Sequence, residues 1–171
     1  INPLFALHDA DRDLTGLVFS GLLSYSGDGE IIPDLAESYE VSSDGKSYTL
    51  TLRENALWHD GGKVSTDDVL FTIKTIQNPL YKSALRANWQ GVSAEALDRR
   101  TVRFTLRAPY TPFIENLTTR IIPKHLWENV GPEQALLHEL NLKPVGSGPY
   151  QFDRLRQDKD GTIRWYRLRR N

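Results

Sequence analysis

Several groups of residues in this chain have the types and spacing to do chemistry. Gly146-Ser147-Gly148 sets a hydroxyl between two glycines. A nucleophilic serine needs a base within hydrogen-bond reach and a strained turn. The G-x-S-x-G pattern is not met, so the triplet reads as adaptable backbone at a crossing. His59 and Asp60 are adjacent, and neighbouring side chains of an extended segment point apart, which disfavours a catalytic dyad. His8, His59, His125 and His138 stand apart in the sequence, with no H-E-x-x-H spacing and no cysteine, so no metal-ligand set is expected. Asp9, Asp11 and Asp13 alternate as in a calcium loop, but the glycine and closing glutamate of that loop are missing. Asp158-x-Asp160-Gly161 hints at calcium again, and a hairpin turn explains it more simply. Arg164, Arg167, Arg169 and Arg170 lie around Trp165 and Tyr166, a mixture that can bind single-stranded nucleic acid. The patch is read instead as a surface covered by further structure. No phosphate-binding G-x-x-x-x-G-K-[ST] occurs. No catalytic residue, cofactor, metal or nucleic-acid partner is therefore expected.

The elements that must position any site are local and legible. Asp44-Gly45 separates two runs that can pair, Tyr39–Val41 and Tyr48–Leu52. Asp-Gly reaches positive φ at low cost, which makes it a strong hairpin signal. Tyr48, Leu50 and Leu52 share one face of their strand. Trp58 precedes a second turn, His59-Asp60-Gly61-Gly62. Ser65 or Thr66 can cap the next helix, with Asp67 and Asp68 in its first turn, where free N–H groups favour negative charge. Val69, Ile73 and Ile76 give that helix a buried face, and Asn78-Pro79 ends it. Val92–Leu97 and Thr101–Leu106 flank Asp98-Arg99-Arg100 as a second hairpin. Earlier, Asp9, Asp11 and Asp13 suit the start of a short helix, and Leu22, Leu23 and Tyr25 begin a strand that ends at the turn 26–29. Later, prolines at 112 and 132 can open helices, the second carrying Ala135, Leu136, Leu137 and Leu140. Residues 141–149 have the Pro and Gly content of a crossing, and two strands follow, about Tyr150–Leu155 and Thr162–Leu168.

With 171 residues, 39% hydrophobic and 25% charged, the chain has the composition of an ordinary globular protein able to bury one core. A net charge of −1 gives no broad attraction to nucleic acid or anionic membrane. No apolar run reaches the length that spans a bilayer. The chain begins Ile1-Asn2-Pro3 and contains no methionine, so it reads as the N-terminal part of a longer, processed protein.

Taken in order, PDLAESYEV (33–41), SDGKSYTLTLRENALWHDG (43–61) and STDDVLFTI (65–73) resemble the N-terminal signature of the extracellular solute-binding proteins of family 5. These are the peptide- and oligopeptide-binding subunits of ABC importers. The resemblance extends to Asn2-Pro3, LVFSGLLSY (17–25), DRRTVRFTL (98–106), IIPKHLW (121–127) and VGSGPYQF (145–152), and so covers nearly the whole chain. It implies an α+β fold: a mixed sheet with β-hairpins and short helices, part of the N-terminal lobe of a two-lobed periplasmic-binding-protein-like fold with an extra domain. Residues 1–25 and 144–171 would belong to a discontinuous first domain, and 26–143 to the extra domain inserted into it. The partners implied are a peptide or other small solute and the membrane permease of an ABC importer. The protein would work as a monomer, periplasmic or extracellular and membrane-anchored in its full-length form. The ligand cleft would be reached by Leu7, His8 and Asp9 of the opening segment, and by Leu85 and Trp89 after the first long helix. For Leu85 and Trp89, packing beneath a loop is an equally open reading. Two rivals remain: a hydrolase whose catalytic groups lie elsewhere, and a structural or interaction domain with no cleft.

Overall fold

The Asp44-Gly45 turn closes the hairpin on which the largest sheet is built. Gly45 takes φ +66°, and the Ser42 hydroxyl donates to Asp44 at 2.6 Å. The computed structural model describes residues 1–6 and 8–171. In chain order its elements are α1 (Asp9–Val18), β1 (Leu23–Tyr25), β2 (Ile31–Pro33), β3 (Ala36–Val41), β4 (Ser47–Leu52), α2 (Thr66–Gln77), α3 (Arg86–Trp89), β5 (Ser93–Ala96), β6 (Thr101–Thr105), α4 (Phe113–Asn116), α5 (Lys124–Trp127), α6 (Pro132–Ala135), β7 (Tyr150–Gln157) and β8 (Ile163–Arg170). The fold is α+β. Its four-stranded antiparallel sheet runs β3-β4-β6-β5, and β1-β2 and β7-β8 form separate two-stranded antiparallel pairs.

Period-two patterning sets the register. Tyr39, Leu50 and Val102 pair across the sheet in one row, and Val41, Tyr48, Phe104 and Ala94 in the next. Leu50, Tyr48, Val102 and Phe104 are buried, while Thr49 and Arg103 turn to the other face. Helix α2 lays Val69, Ile73 and Ile76 against β5 and β6. One apolar cluster runs from Leu4 through the sheet and α2 to Ala135.

The start of α2 does more than cap itself. Asp68 is only 5% exposed. Its carboxylate accepts from the Ser65 main-chain N–H at 2.9 Å and, through the other oxygen, from the Lys124 N–H at 2.9 Å. Two helix starts, α2 and α5, thus share one carboxylate. Asp68→Asn keeps the shape but turns one acceptor into a donor facing an N–H. It should cost about 1–3 kcal/mol, the usual penalty for an unpaired buried polar group, read from urea unfolding.

The C-terminal leucines depart from the sequence reading. The helix that Pro132 opens stops at Ala135, and Asn141 Nδ2 donates to the Ala135 and Leu136 carbonyls to close it. Ala135 is buried, but Leu136 is exposed and Leu137 is 91% exposed. At Asp158-x-Asp160-Gly161 the Asp158 carboxylate accepts from the Asp160 and Thr162 N–H groups, as a hairpin turn requires.

Candidate solute-binding groove

The opening segment folds back on itself through Asn2, whose side chain accepts from Leu4 N–H at 3.0 Å. It is then tied to a distant part of the chain. The buried Ser83 hydroxyl donates to the Leu4 carbonyl at 2.8 Å and accepts from the Leu85 N–H at 3.3 Å. The connection after α2 is brought to Ser83 by Asn78, which ends the helix and accepts from Leu80 N–H, and by Lys82 at φ 52°. One hydroxyl therefore sets the opening segment beside residues 83–88.

Between them lies a groove of about 330 Å³. Ala6 and Leu85 give it apolar wall, Asn88 and Thr119 give it hydrogen-bonding groups, and Arg12 and Arg120 bring charge. Arg120 is anchored by Asp34 at 3.7 Å, both side chains being about three-quarters buried. Burial pushes the Arg120 guanidinium below, and the Asp34 carboxyl above, their ordinary values, while their mutual attraction opposes both shifts. Asp34 also accepts from the Gly21 N–H at 3.2 Å, so the pair fixes Arg120 against β1 and its flanking turn. A second groove of about 480 Å³, reached past Asn88 and Asn116, holds no residue of the opening segment. The ridge between the two is tied by Asn116 Nδ2 donating to the Asn88 carbonyl at 2.8 Å.

The residues singled out from sequence fall in different places. His8 and Asp9 are exposed at the start of α1, where the His8 carbonyl accepts from Arg12 N–H. Asp9 meets Arg12 at 3.4 Å, an exposed pair of little energetic weight. Leu7 lies outside the described residues. Leu85 is half-buried and lines the groove. Trp89 does not. It is 1% exposed, with ring centroids 5.5 Å from Phe104 and 5.6 Å from Phe113. Of the two readings open for Trp89, core packing is the one the geometry gives, because the aromatic rings of β6 and α4 take its surface. It acts from beneath: its Nε1–H donates to Thr119 Oγ1 at 3.2 Å, fixing a hydroxyl of the groove wall. Ser83, Asn88, Thr119 and Arg120 were not singled out from sequence. No local pattern marks them, since each matters through a partner far along the chain.

The histidines are less isolated than their spacing suggests. His125 Nε2 meets Asp60 Oδ2 at 2.7 Å. The Asp60 side chain is partly buried, which raises its pKa, but the His125 hydrogen bond and the Gly62 N–H outweigh this and hold it below the usual carboxylate range. His59 turns the other way, to Gly146 and Gly148. The two residues lie in a turn rather than an extended segment, and their side chains reach different partners, His59 the crossing and Asp60 His125.

The model of the family described as "Bacterial extracellular solute-binding proteins, family 5 Middle" matches residues 30–168. The chain is 33% identical over 160 residues to the dipeptide-binding protein of Escherichia coli, covering 81% of this chain and 29% of that protein. Among solved structures, the oligopeptide-binding protein AppA of Bacillus subtilis in complex with a nonapeptide superposes with a TM-score of 0.89 at 28% identity, over 100% of this chain and 34% of that one. NikZ of Campylobacter jejuni in complex with Ni(L-His) gives 0.82 at 39% identity, over 91% and 31%. The chain thus spans about a third or less of the length of these relatives. These relatives are binding proteins, and the small sheets and short helices described above are part of their common fold. On the family match and on the architecture together, the chain belongs to the bacterial extracellular solute-binding proteins of family 5.

Proposed function

We propose that this chain forms part of the first lobe of a receptor that captures a peptide or similar small solute outside the cytoplasmic membrane and hands it to the permease of an ABC importer. The observation that carries this reading is the groove held open by Ser83 between the opening segment and Leu85, in a chain of this family. A main-chain segment pinned at Leu4 offers fixed donors and acceptors to an extended ligand, and Leu85 covers its apolar side chains. His8 and Asp9 follow that segment, exposed at the start of α1 outside the groove lining, and would meet polar groups of a ligand that extends past Ala6. The second lobe would come from the rest of a longer protein and close on the ligand by a hinge.

The same reading divides the chain into 1–25 with 144–171 as one domain and 26–143 as an insertion. The Gly148 N–H donating to the Val18 carbonyl at 2.8 Å supports it, joining the end of α1 to the segment that leads into β7. The reading assigns no catalytic residue, and it makes the protein a monomer held at the membrane surface by an anchor.

A native mass spectrum of the complete protein from its own host tests this. The expected result is a small adduct that leaves intact on denaturation, with peptides of matching size raising the thermal midpoint. Micromolar affinity, about −8 kcal/mol, is sufficient for such a receptor. Cleavage of added peptide would favour the hydrolase reading. No adduct and no shift with peptides, amino-acid chelates of nickel or short oligosaccharides would leave only the structural one.

A further inference from the structure

Among the described residues, the hydrogen bonds between the turn at 58–62 and the crossing at 144–149 run through His59. His59 makes three bonds to two glycines. Its main-chain N–H donates to the Gly146 carbonyl at 2.8 Å. Its ring Nε2 lies 2.9 Å from the Gly148 carbonyl, and its Nδ1 accepts from the Gly146 N–H at 3.2 Å. A carbonyl can only accept and an N–H can only donate. The two ring contacts therefore require the neutral imidazole with its proton on Nε2.

From this geometry we infer that His59 is an acid-sensitive latch: neutral, its ring pins the 144–149 crossing to the 58–62 turn; protonated, the ring gives up the Gly146 N–H, and the main-chain bond to the Gly146 carbonyl and the Nε2 contact with Gly148 remain. A proton on Nδ1 would point at the Gly146 N–H, setting donor against donor. The released bond lies next to a second one, since Gly148 N–H donates to Val18 at the end of α1. Opening there loosens the tie between the first 25 residues and the segment leading into β7.

The groups facing His59 are few. Among the described residues the crossing presents main chain, and Asn171, just after β8, donates its side-chain amide to the same Gly148 carbonyl at 3.4 Å. The charged neighbour is Asp60 on the same turn, which favours protonation. Its carboxylate is already occupied by His125 and the Gly62 N–H. Burial is the larger effect and holds the His59 pKa below its ordinary 6.5. The unfolded chain therefore takes up the proton first as pH falls. The latch contributes fully above about pH 6.5 and is lost as pH falls through the lower folded value. The Asp60–His125 contact supplies an internal control. That contact does not involve the His59 ring, so it reports on the same turn independently of the His59 proton.

The test is ¹⁵N NMR of the complete chain between pH 7.5 and 4.5, reading the His59 ring nitrogens together with amide-exchange protection at Gly146. The expected result is an Nε2–H tautomer that titrates below 6.5, with Gly146 protection falling about tenfold or more through the same midpoint. Leu50 and Val102 amides in the sheet should hold their protection. Titration at or above 6.5, the opposite tautomer, or unchanged Gly146 protection would overturn the latch. His59→Gln retains a donor for Gly148 and cannot titrate, so its Gly146 protection should be independent of pH over this range. A Gln variant with the wild-type acid response would also overturn it.

Discussion

Replacing Gly146 by alanine is expected to destabilise the protein by more than about 4 kcal/mol, a loss seen only when a specific mechanism operates. The mechanism here is a main-chain collision. A Cβ on Gly146 would sit 1.9 Å from the Val18 carbonyl oxygen and 2.7 Å from its carbon. Overpacking in a core normally costs about 1–3 kcal/mol because side chains can shift. Val18 O cannot swing aside, being the last carbonyl of α1 and the acceptor for Gly148 N–H. Moving the crossing instead breaks the three His59 bonds. Gly29→Ala is the comparison. Gly29 has φ +82°, and a methyl group added there would meet nothing within 4 Å, so only left-handed strain remains, about 1–2 kcal/mol. Urea unfolding of both variants decides between the two costs: equal losses would mean that the crossing yields freely.

Trp58→Ala should cost about 3–5 kcal/mol, the range for deleting a buried large aromatic side chain. Trp58 is 2% exposed in the main apolar cluster, between the hairpin and the turn that carries His59. Its Nε1–H finds no acceptor among the described residues. Trp58→Phe removes that unpartnered donor along with part of the packing, so its loss should be well below the alanine value. Thermal and urea unfolding of the pair test this. A loss below about 1 kcal/mol for the alanine variant would mean that the side chain is exposed in solution.

The parts of the fold written over a few residues were legible. Asp44-Gly45 placed the hairpin, alternation at 48–52 and 102–106 placed the buried face, and Val69, Ile73 and Ile76 placed the side of α2 that packs. The parts written across the chain were not. Asp68 reaches Lys124 across 56 residues, Ser83 reaches Leu4 across 79, and His59 reaches Gly146 across 87. Each is a polar group meeting main chain, and neither hydrophobic period nor turn chemistry encodes the partner. Leu136 and Leu137 show the converse. The sequence reading carried the helix opened by Pro132 on through Leu136, Leu137 and Leu140, yet α6 ends at Ala135 and Leu136 and Leu137 are exposed beyond it. At the groove, the family resemblance pointed to Leu85 and Trp89 together, and no local pattern separates the two. Phe104 and Phe113 decide that, by enclosing one and not the other.

The Ser83 strap has a consequence for how such a groove changes over time. It holds the opening segment through the carbonyl of residue 4, an atom that every amino acid carries. Among the described residues, the side chains of residues 6 and 8 make no hydrogen bond to that segment, and Asp9 meets only Arg12 on its own helix. They are therefore free to vary, by drift or by design, while the scaffold stays fixed. A library confined to residues 6 and 85, with Ser83 and Asn2 kept, would alter what the wall presents without moving the wall.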